Sequence, residues 1–263
     1  MTVERSDVVS GTADLSFCIL SPMYNEEANA ERCVRTLTQE LSRMPYRTGL
    51  IVVDDGSTDG TPTILKRLEA EVPSLTVVTH DFNLGYGGAT RTGIAYAKLG
   101  AYDYILFMDS DLTNDPKYIA AFAMRMLEGV EVIKASRYVT GGGMVGVPRY
   151  RVVISVAGNA VARRLMGVPV ADCTNGFRAM KVEVASRMPL RENGFAVIME
   201  ELYYCKYLAR TFAEIPHILT CRGEGSGSKF SYRPRMFWAY FKYALRAFLL
   251  RQPKVFLHER STA

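Results

Sequence analysis

Tyr104-Ile105-Leu106-Phe107-Met108-Asp109-Ser110-Asp111 is an apolar run that leads directly into two carboxylates one residue apart. A short apolar run of this kind reads as a buried strand. Aspartates at i and i+2 leaving a strand can share one hard divalent cation where the chain bends. Mg²⁺ or Mn²⁺ held by one or two carboxylates keeps positions for phosphate oxygens. Asp109 and Asp111 are therefore candidate metal ligands. The same string also fits a solvated loop after a strand, so the choice rests on what the remaining segments bring to it.

The strand followed by a polar turn recurs upstream. Phe17-Cys18-Ile19-Leu20 ends at Ser21-Pro22-Met23-Tyr24-Asn25-Glu26, and Ala30, Cys33, Val34, Leu37 and Leu41 follow at helical spacing. Leu50-Ile51-Val52-Val53 runs into Asp54-Asp55-Gly56-Ser57. A second helix is predicted there, with Thr61 as N-cap, Pro62 at the first helical position, and Ile64, Leu65, Leu68 and Val72 facing inward. Leu75-Thr76-Val77-Val78 is a third strand before a glycine-rich turn and a helix around Ala89 to Lys98. This alternation predicts an α/β fold, a mostly parallel sheet with helices on both faces, and ligands in such sheets bind beyond the carboxyl ends of the strands. The polar clusters should then meet at one rim, where several carboxylates repel one another unless a cation offsets them. Further on, the pattern predicts a helix from Pro116 to Leu127, a strand from Val130 to Ala135, and a mobile glycine-rich loop from Ser136 to Arg149. Helices from Val152 to Met166 and Glu200 to Ala209 and a strand from Phe212 to Leu219 complete it.

Composition narrows the class. A chain of 263 residues with 48% hydrophobic content suits one large domain, assigned to residues 15–232, after a polar flexible tail at 1–14 that has no apolar signal core. Residues 233–263 form a basic segment: from Arg222 onward there are nine Lys/Arg against two Asp/Glu, within a net charge of +5. Five scattered cysteines without a C-x-x-C pair indicate neither a disulfide framework nor a zinc site and suit a reducing cytosol. No apolar run reaches the ~20 residues needed to span a bilayer. On a helix, Phe237, Phe241, Leu245 and Phe248 share one face while Arg235, Lys242 and Arg246 lie toward another, with Trp238, Tyr240 and Tyr243 as amphipathic rings. That pattern fits a helix lying in a membrane interface, or one docked on the domain. No nucleic-acid recognition motif is present, so nucleic acid is excluded as a partner.

The order Ser21 to Glu26, Asp54-Asp55-Gly56-Ser57-Thr58-Asp59-Gly60-Thr61, Asn83-Leu84-Gly85-Tyr86-Gly87-Gly88-Ala89 and Asp109-Ser110-Asp111 resembles the family 2 glycosyltransferases of the GT-A (nucleotide-diphospho-sugar transferase) fold. Ser136-Arg137-Tyr138, Asp172 to Arg178, Glu200 and Arg222 to Lys229 are most similar to the polyprenyl-phosphate sugar synthases, the dolichol-phosphate mannose synthases above all. The resemblance covers residues 16 to 232. It implies that Pro22, Tyr24, Asn25 and Glu26 line a nucleotide pocket, that Asp54 hydrogen-bonds the base with Asp55 beside it, and that Gly85 sits against the donor. A carboxylate suits the N–H edge of a base, which it accepts with charge-assisted strength. Asp109, Ser110 and Asp111 would take the ribose, the metal (Mg²⁺ or Mn²⁺) and the diphosphate. Two departures stand out: Thr113 replaces the glutamine usual two residues beyond the second aspartate, and Arg222 to Lys229 carries one extra residue.

Arg137, Arg222 and Lys229 are the candidate phosphate binders, since cations aimed at a diphosphate leaving group lower the barrier to sugar transfer. A phosphate acceptor is already ionised near neutral pH and needs no general base; a hydroxyl acceptor needs one, and Glu200 or Glu201 are the candidates. The expectation is a metal-dependent inverting transferase at the cytoplasmic face of a membrane. It would move a hexose, mannose first, from a nucleotide diphosphate sugar such as GDP-mannose to a polyprenyl or dolichyl phosphate. Its C-terminal helix would rest on the membrane surface, with or without a separate anchoring partner. The rivals are a transferase using a UDP-sugar or a soluble hydroxyl acceptor, and a non-catalytic nucleotide-sugar sensor.

Overall fold

The computed structural model describes residues 15–220 and 234–250, with side chains from 238 onward in the last stretch. The tail at 1–14 and the candidates Arg222 and Lys229 lie outside the described residues. The elements are β1 (Ser16–Met23), α1 (Glu27–Ser42), β2 (Arg47–Asp54), α2 (Thr61–Glu71), β3 (Leu75–Thr79), α3 (Tyr86–Leu99), β4 (Tyr104–Phe107), α4 (Ile119–Leu127), β5 (Val132–Ser136), β6 (Gly143–Val145), α5 (Arg149–Met166), β7 (Arg178–Lys181), α6 (Val182–Ala185), α7 (Val197–Leu208), β8 (Phe212–Pro216), β9 (Ile218–Thr220) and α8 (Pro234–Leu249).

Seven strands form one sheet in the order β3-β2-β1-β4-β7-β5-β8. β1 pairs in parallel with β2 and β4, β2 with β3, and β5 with β8, while β7 runs antiparallel to both β4 and β5. The mostly parallel sheet expected from the alternation is thus present, with one reversed strand. Alternate residues of β1 divide between two cores: Phe17 and Ile19 pack with α1, α2 and α4, and Cys18 and Leu20 with α3, α6 and α7. Burial on both faces is why these strands read as unbroken apolar runs. A third cluster joins Ala162 and Met166 of α5 and Met199, Leu202 and Tyr203 of α7 to Tyr243, Ala244 and Ala247 of α8.

Three details differ from the sequence reading. Thr61 is not the cap of α2 but its first residue; its buried hydroxyl accepts the Glu26 N–H at 2.9 Å, tying two loops together. The segment from Ser136 to Arg149 is not simply a loop, because β6 inside it pairs in parallel with β9. The strand expected from Phe212 to Leu219 is split at His217 into β8 and β9.

His217 is fully buried, with its ring edge-on to Tyr118 at 5.0 Å and Phe177 at 5.5 Å and no hydrogen-bond partner for either ring nitrogen. Burial, helped by the nearby positive charge of Arg137, pushes its pKa down to about 4 from the ordinary 6.5. The unfolded chain takes up this proton first, so the stability that neutral His217 permits is whole above about pH 6.5 and is lost as pH falls toward 4. Urea unfolding at pH 7.5 and 4.5 should show His217→Phe losing less stability on acidification than the wild type, by roughly 2–3 kcal/mol.

Candidate active site

The parallel pairing of β1 with β2 and β4 fixes where the polar turns emerge. Met23 is in register with Asp54, and the Met108 N–H bonds the Leu20 carbonyl, so Pro22, Asp54 and Asp109 all leave the same edge of the sheet. Asp54 and the Asp109 turn stand two strand spacings apart, roughly 10 Å, with the end of β1 between them. The gathering of these segments at one rim, expected from the alternation, is what the sheet topology produces.

On the β1–β2 side most polar groups fasten one loop to another. Asn25, held at a left-handed φ of 52°, donates its N–H to the Ser57 hydroxyl and accepts the Thr58 N–H on its side-chain oxygen. Glu26 accepts from the Asn29 amide at 2.8 Å, Tyr24 is exposed, and Pro22 is half-buried beside it. Asp54 and Asp55 are both buried but play different parts. One oxygen of Asp55 accepts the Leu84 N–H and contacts the His80 ring at 2.7 Å, and the other accepts the Gly85 N–H, so Asp55 clamps the Asn83–Gly85 turn. Asp54 Oδ1 accepts the Ser57 N–H at 3.1 Å, and its buried Oδ2 has no hydrogen-bond partner. An unsatisfied buried carboxylate oxygen is costly and suits a ligand N–H.

The Gly85–Gly87 turn, expected against the donor, packs closely on the chain's own 192–193 loop. A Cβ on Gly85 would strike the Asn193 carbonyl, and one on Gly87 the Glu192 carbonyl. The glycines are required by the chain's own loop.

Beyond β4 the chain turns sharply at Leu112, at a φ of 57°. Asp109 and Asp111 are half-buried and Ser110 is buried between them. Thr113, in the place of the usual glutamine, gives both its N–H and its hydroxyl to Asp111 Oδ1, and Asn114 reaches Asp109 at 3.4 Å. No group of three or more carboxylate, histidine or thiol ligands gathers here among the described residues. Two hard carboxylates on one turn are a donor set that suits Mg²⁺ or Mn²⁺, which leave most of their coordination to water and phosphate oxygens, rather than a metal that wants four protein ligands.

Asp109 also lies on the wall of a cavity of about 820 Å³ between α5, α7 and α8. Its lining is mostly apolar, with Ile154, Val161, Ile198, Met199, Trp238 and Phe241 prominent, and Asp109, Arg137, Arg151 and Ser155 are its polar members. Arg137 grips Asp172 through two parallel bonds of 2.7 and 2.8 Å. Burial raises the Asp172 carboxyl pKa, but the hydrogen bonds and charge of Arg137 outweigh it, and the net shift is down. Asn159 of α5 accepts the Cys173 N–H at 2.8 Å and donates to the Ser155 carbonyl, holding the 172–175 loop to the helix. Lys134, buried in β5, donates to the Asn175 carbonyl at 2.8 Å; burial first and then Arg178 push its pKa down to about 8.

Both glutamates suggested as a base are engaged by the chain itself. Glu200 is buried and accepts the N–H groups of Arg191 and Glu192 at 2.9 and 2.8 Å. Glu201 pairs with Arg178 in a buried two-bond contact of 2.5 and 2.6 Å, and Arg178 also reaches the Tyr86 hydroxyl and lies 3.9 Å over the Phe107 ring. Sequence reasoning missed His80, Asn159, Asp172 as the partner of Arg137, and the Arg178–Glu201 pair. Asn159 left one trace: it shares a helical face with the buried Ala162 and Met166.

These features suit an α/β transferase that binds at the carboxyl edge of its sheet. The chain belongs to the family 2 glycosyltransferases: residues 18–188 match the model of Glycosyl transferase family 2. It is 30% identical to an undecaprenyl-phosphate mannosyltransferase of Micrococcus luteus, over 74% of this chain and 79% of that one. It is also 30% identical to a polyprenol monophosphomannose synthase of Mycolicibacterium smegmatis, over 65% of this chain and 64% of that one. With a dolichol-phosphate mannosyltransferase of Pyrococcus furiosus it shares 29% identity over 79% of its length, spanning only 57% of the relative. Among solved structures, the glucosyl-3-phosphoglycerate synthase of Mycobacterium tuberculosis, in complex with Mn²⁺, UDP and phosphoglyceric acid, matches with a TM-score of 0.63 at 22% identity, covering 91% of this chain and 81% of that one. The same synthase is also known with Mg²⁺ and UDP. The fold is GT-A.

Breaking either buried glutamate should cost stability to different degrees. Glu201→Ala strands the Arg178 charge and is expected to cost about 3–5 kcal/mol. Glu200→Ala strands two neutral N–H groups and should cost about 1–3 kcal/mol, both read by urea denaturation.

Proposed function

We propose that this glycosyltransferase moves a hexose, mannose first, from a nucleotide diphosphate sugar, GDP-mannose first, to a polyprenyl phosphate, with inversion at the anomeric carbon. The observation that carries the reading is a mostly apolar cavity whose wall also carries Asp109 and two arginines, Arg137 and Arg151. A prenyl phosphate combines the same two characters, a charged head on an apolar chain. The names of the three relatives support the same acceptor class.

In this reading Asp54 Oδ2 accepts an N–H of the base, while Pro22, Tyr24 and Glu26 border the nucleotide. Asp109 and Asp111 hold Mg²⁺ or Mn²⁺, which when bound offsets the charge of the diphosphate. Arg137 and Arg151 draw in the acceptor phosphate. A phosphate oxygen then attacks the anomeric carbon as the sugar–diphosphate bond breaks, and the nucleoside diphosphate leaves from the opposite side. Among the described residues Asp109 is the only carboxylate on the cavity wall, and Glu200 and Glu201 are occupied elsewhere. That favours an acceptor that is ionised already over a hydroxyl that needs a base.

The outer surface supports a place at the membrane. Val153, Ile154, Val156 and Val161 of α5 and Trp238, Phe241, Phe248 and Leu249 of α8 are exposed, with Arg149, Arg163, Arg164 and Arg246 also exposed on these two packed helices. No described helix is long and apolar enough to cross a membrane. We read residues 15–232 as the catalytic unit and 233–263 as the part that rests on the cytoplasmic face, beside an anchoring partner where one is present.

Three experiments test the reading. Thermal shift with GDP-mannose, UDP-glucose and UDP-N-acetylglucosamine, each with Mn²⁺, should single out one donor by stabilisation, GDP-mannose being expected. Asp109→Asn and Asp111→Asn should then lower transfer by at least roughly a hundredfold. Ile154→Glu should abolish transfer to a polyprenyl phosphate while leaving the donor dissociation constant within about twofold, since charge is placed only where the prenyl chain would lie. Undiminished lipid transfer by Ile154→Glu would remove the acceptor assignment.

A further inference from the structure

The loop from Arg191 to Phe195 is held from three sides. Glu200 accepts the N–H groups of Arg191 and Glu192. From α3, the Gly87 N–H donates to the Asn193 carbonyl at 2.8 Å, and Arg91 donates to the Glu192 carbonyl at 2.7 Å and to Asn193 Oδ1 at 2.6 Å. From α8, Lys242 forms an ion pair with the Glu192 carboxylate, the Tyr243 hydroxyl donates to the same carboxylate at 2.9 Å, and the Tyr240 hydroxyl donates to the Phe195 carbonyl at 3.2 Å.

Each attachment leads somewhere. The α3 side is the turn that Asp55 clamps through Leu84 and Gly85, next to Asp54. The α8 side is the helix that gives Trp238, Tyr240, Phe241 and Ala244 to the apolar cavity, to which the loop itself adds Phe195. Phe195 also stacks 4.8 Å from Tyr86, the first residue of α3 and another part of the cavity wall. There is no slack between loop and turn, because a Cβ on Gly85 or Gly87 would meet the Glu192–Asn193 backbone.

We propose that Glu192 is a positioning residue that links the acceptor cavity to the donor turn. Lys242 and Tyr243 transmit the seat of α8 through Glu192 and Asn193 to the Gly85–Gly87 backbone. This rests on the acceptor assignment made above and on the place beside the donor that the family resemblance implies for Gly85. Its consequence is that the seating of α8 around a lipid acceptor sets how well the turn receives a nucleotide. Charge-assisted bonds of this kind are strong and directional enough to carry such coupling.

The test uses the full chain, the double variant Lys242→Met/Tyr243→Phe and, as the conservative control, Glu192→Gln, which keeps an acceptor for Tyr243. Hydrogen–deuterium exchange without any ligand is read at residues 83–93, with 104–108 in β4 and its turn as the internal reference. In the double variant the amides of Leu84, Gly85 and Gly87 should exchange about fivefold faster or more, the reference should not change, and Glu192→Gln should stay between the two. The dissociation constant for GDP or UDP with Mn²⁺ should rise roughly fivefold in the double variant. Unchanged exchange at 84–87 overturns the link and leaves Glu192 as an anchor for α8 alone; faster exchange with unchanged nucleotide affinity overturns its effect on the donor. A wild type that binds neither nucleotide defeats the donor assignment, while the ligand-free exchange still decides the link between α8 and the turn.

Discussion

The parallel pairing of β1 with β2 on one side and β4 on the other is the constraint on which the site depends. It forces three chain segments far apart in sequence to leave one edge of the sheet within two strand spacings, carrying Pro22, Asp54 and Asp109 with them. The pairing is secured by burial: Phe17, Cys18, Ile19 and Leu20 are wholly inaccessible, half packing on each face. A one-residue slip of β1 would exchange its two faces and separate the turns together.

Crowding so many acids at one rim raises a problem of charge, and the chain solves most of it internally. Asp55 is held by backbone N–H groups, Asp172 by Arg137, Glu200 by two amides of the next loop and Glu201 by Arg178. Each carboxylate thereby becomes part of the scaffold. In the proposed reading, Asp54 Oδ2 and the turn at Asp109 and Asp111 would face the nucleotide and its cation. Positive charge is divided in the same way: Lys134 and Arg178 serve the loop and strand behind the cavity, whereas Arg137 and Arg151 reach its wall.

Much of this was legible in the sequence for identifiable reasons. Strands buried on both faces are continuous apolar runs, so β1, β2 and β4 announce themselves, and the acidic turns follow at their ends. β7 was missed because Arg178-Ala179-Met180-Lys181 is short and carries a charge at each end, and its arginine is buried only by virtue of Glu201, 23 residues away. β6 was hidden by its glycine-rich surroundings. Asp54 and Asp55 look alike in sequence, yet the chain leaves β2 between them and turns only the second toward the Leu84–Gly85 backbone. The partners of Glu200 were not legible because helical periodicity places a side chain on a face without revealing which amides lie opposite.

The reversed strand β7 has a further effect on how the site is divided along the chain. Parallel strands offer the rim the segments that follow them, whereas β7 offers the one that precedes it, so the 172–177 loop arrives beside Arg137 rather than at the far edge. The rim segments before residue 112 therefore surround Asp54 and the Asp109 turn, and those after residue 136 build the arginine and loop wall of the cavity. In the proposed reading, a lineage can remodel the 137–177 wall by loop exchange, away from the Glu192 link, which lets recognition of the recipient diverge while handling of the activated sugar is inherited intact.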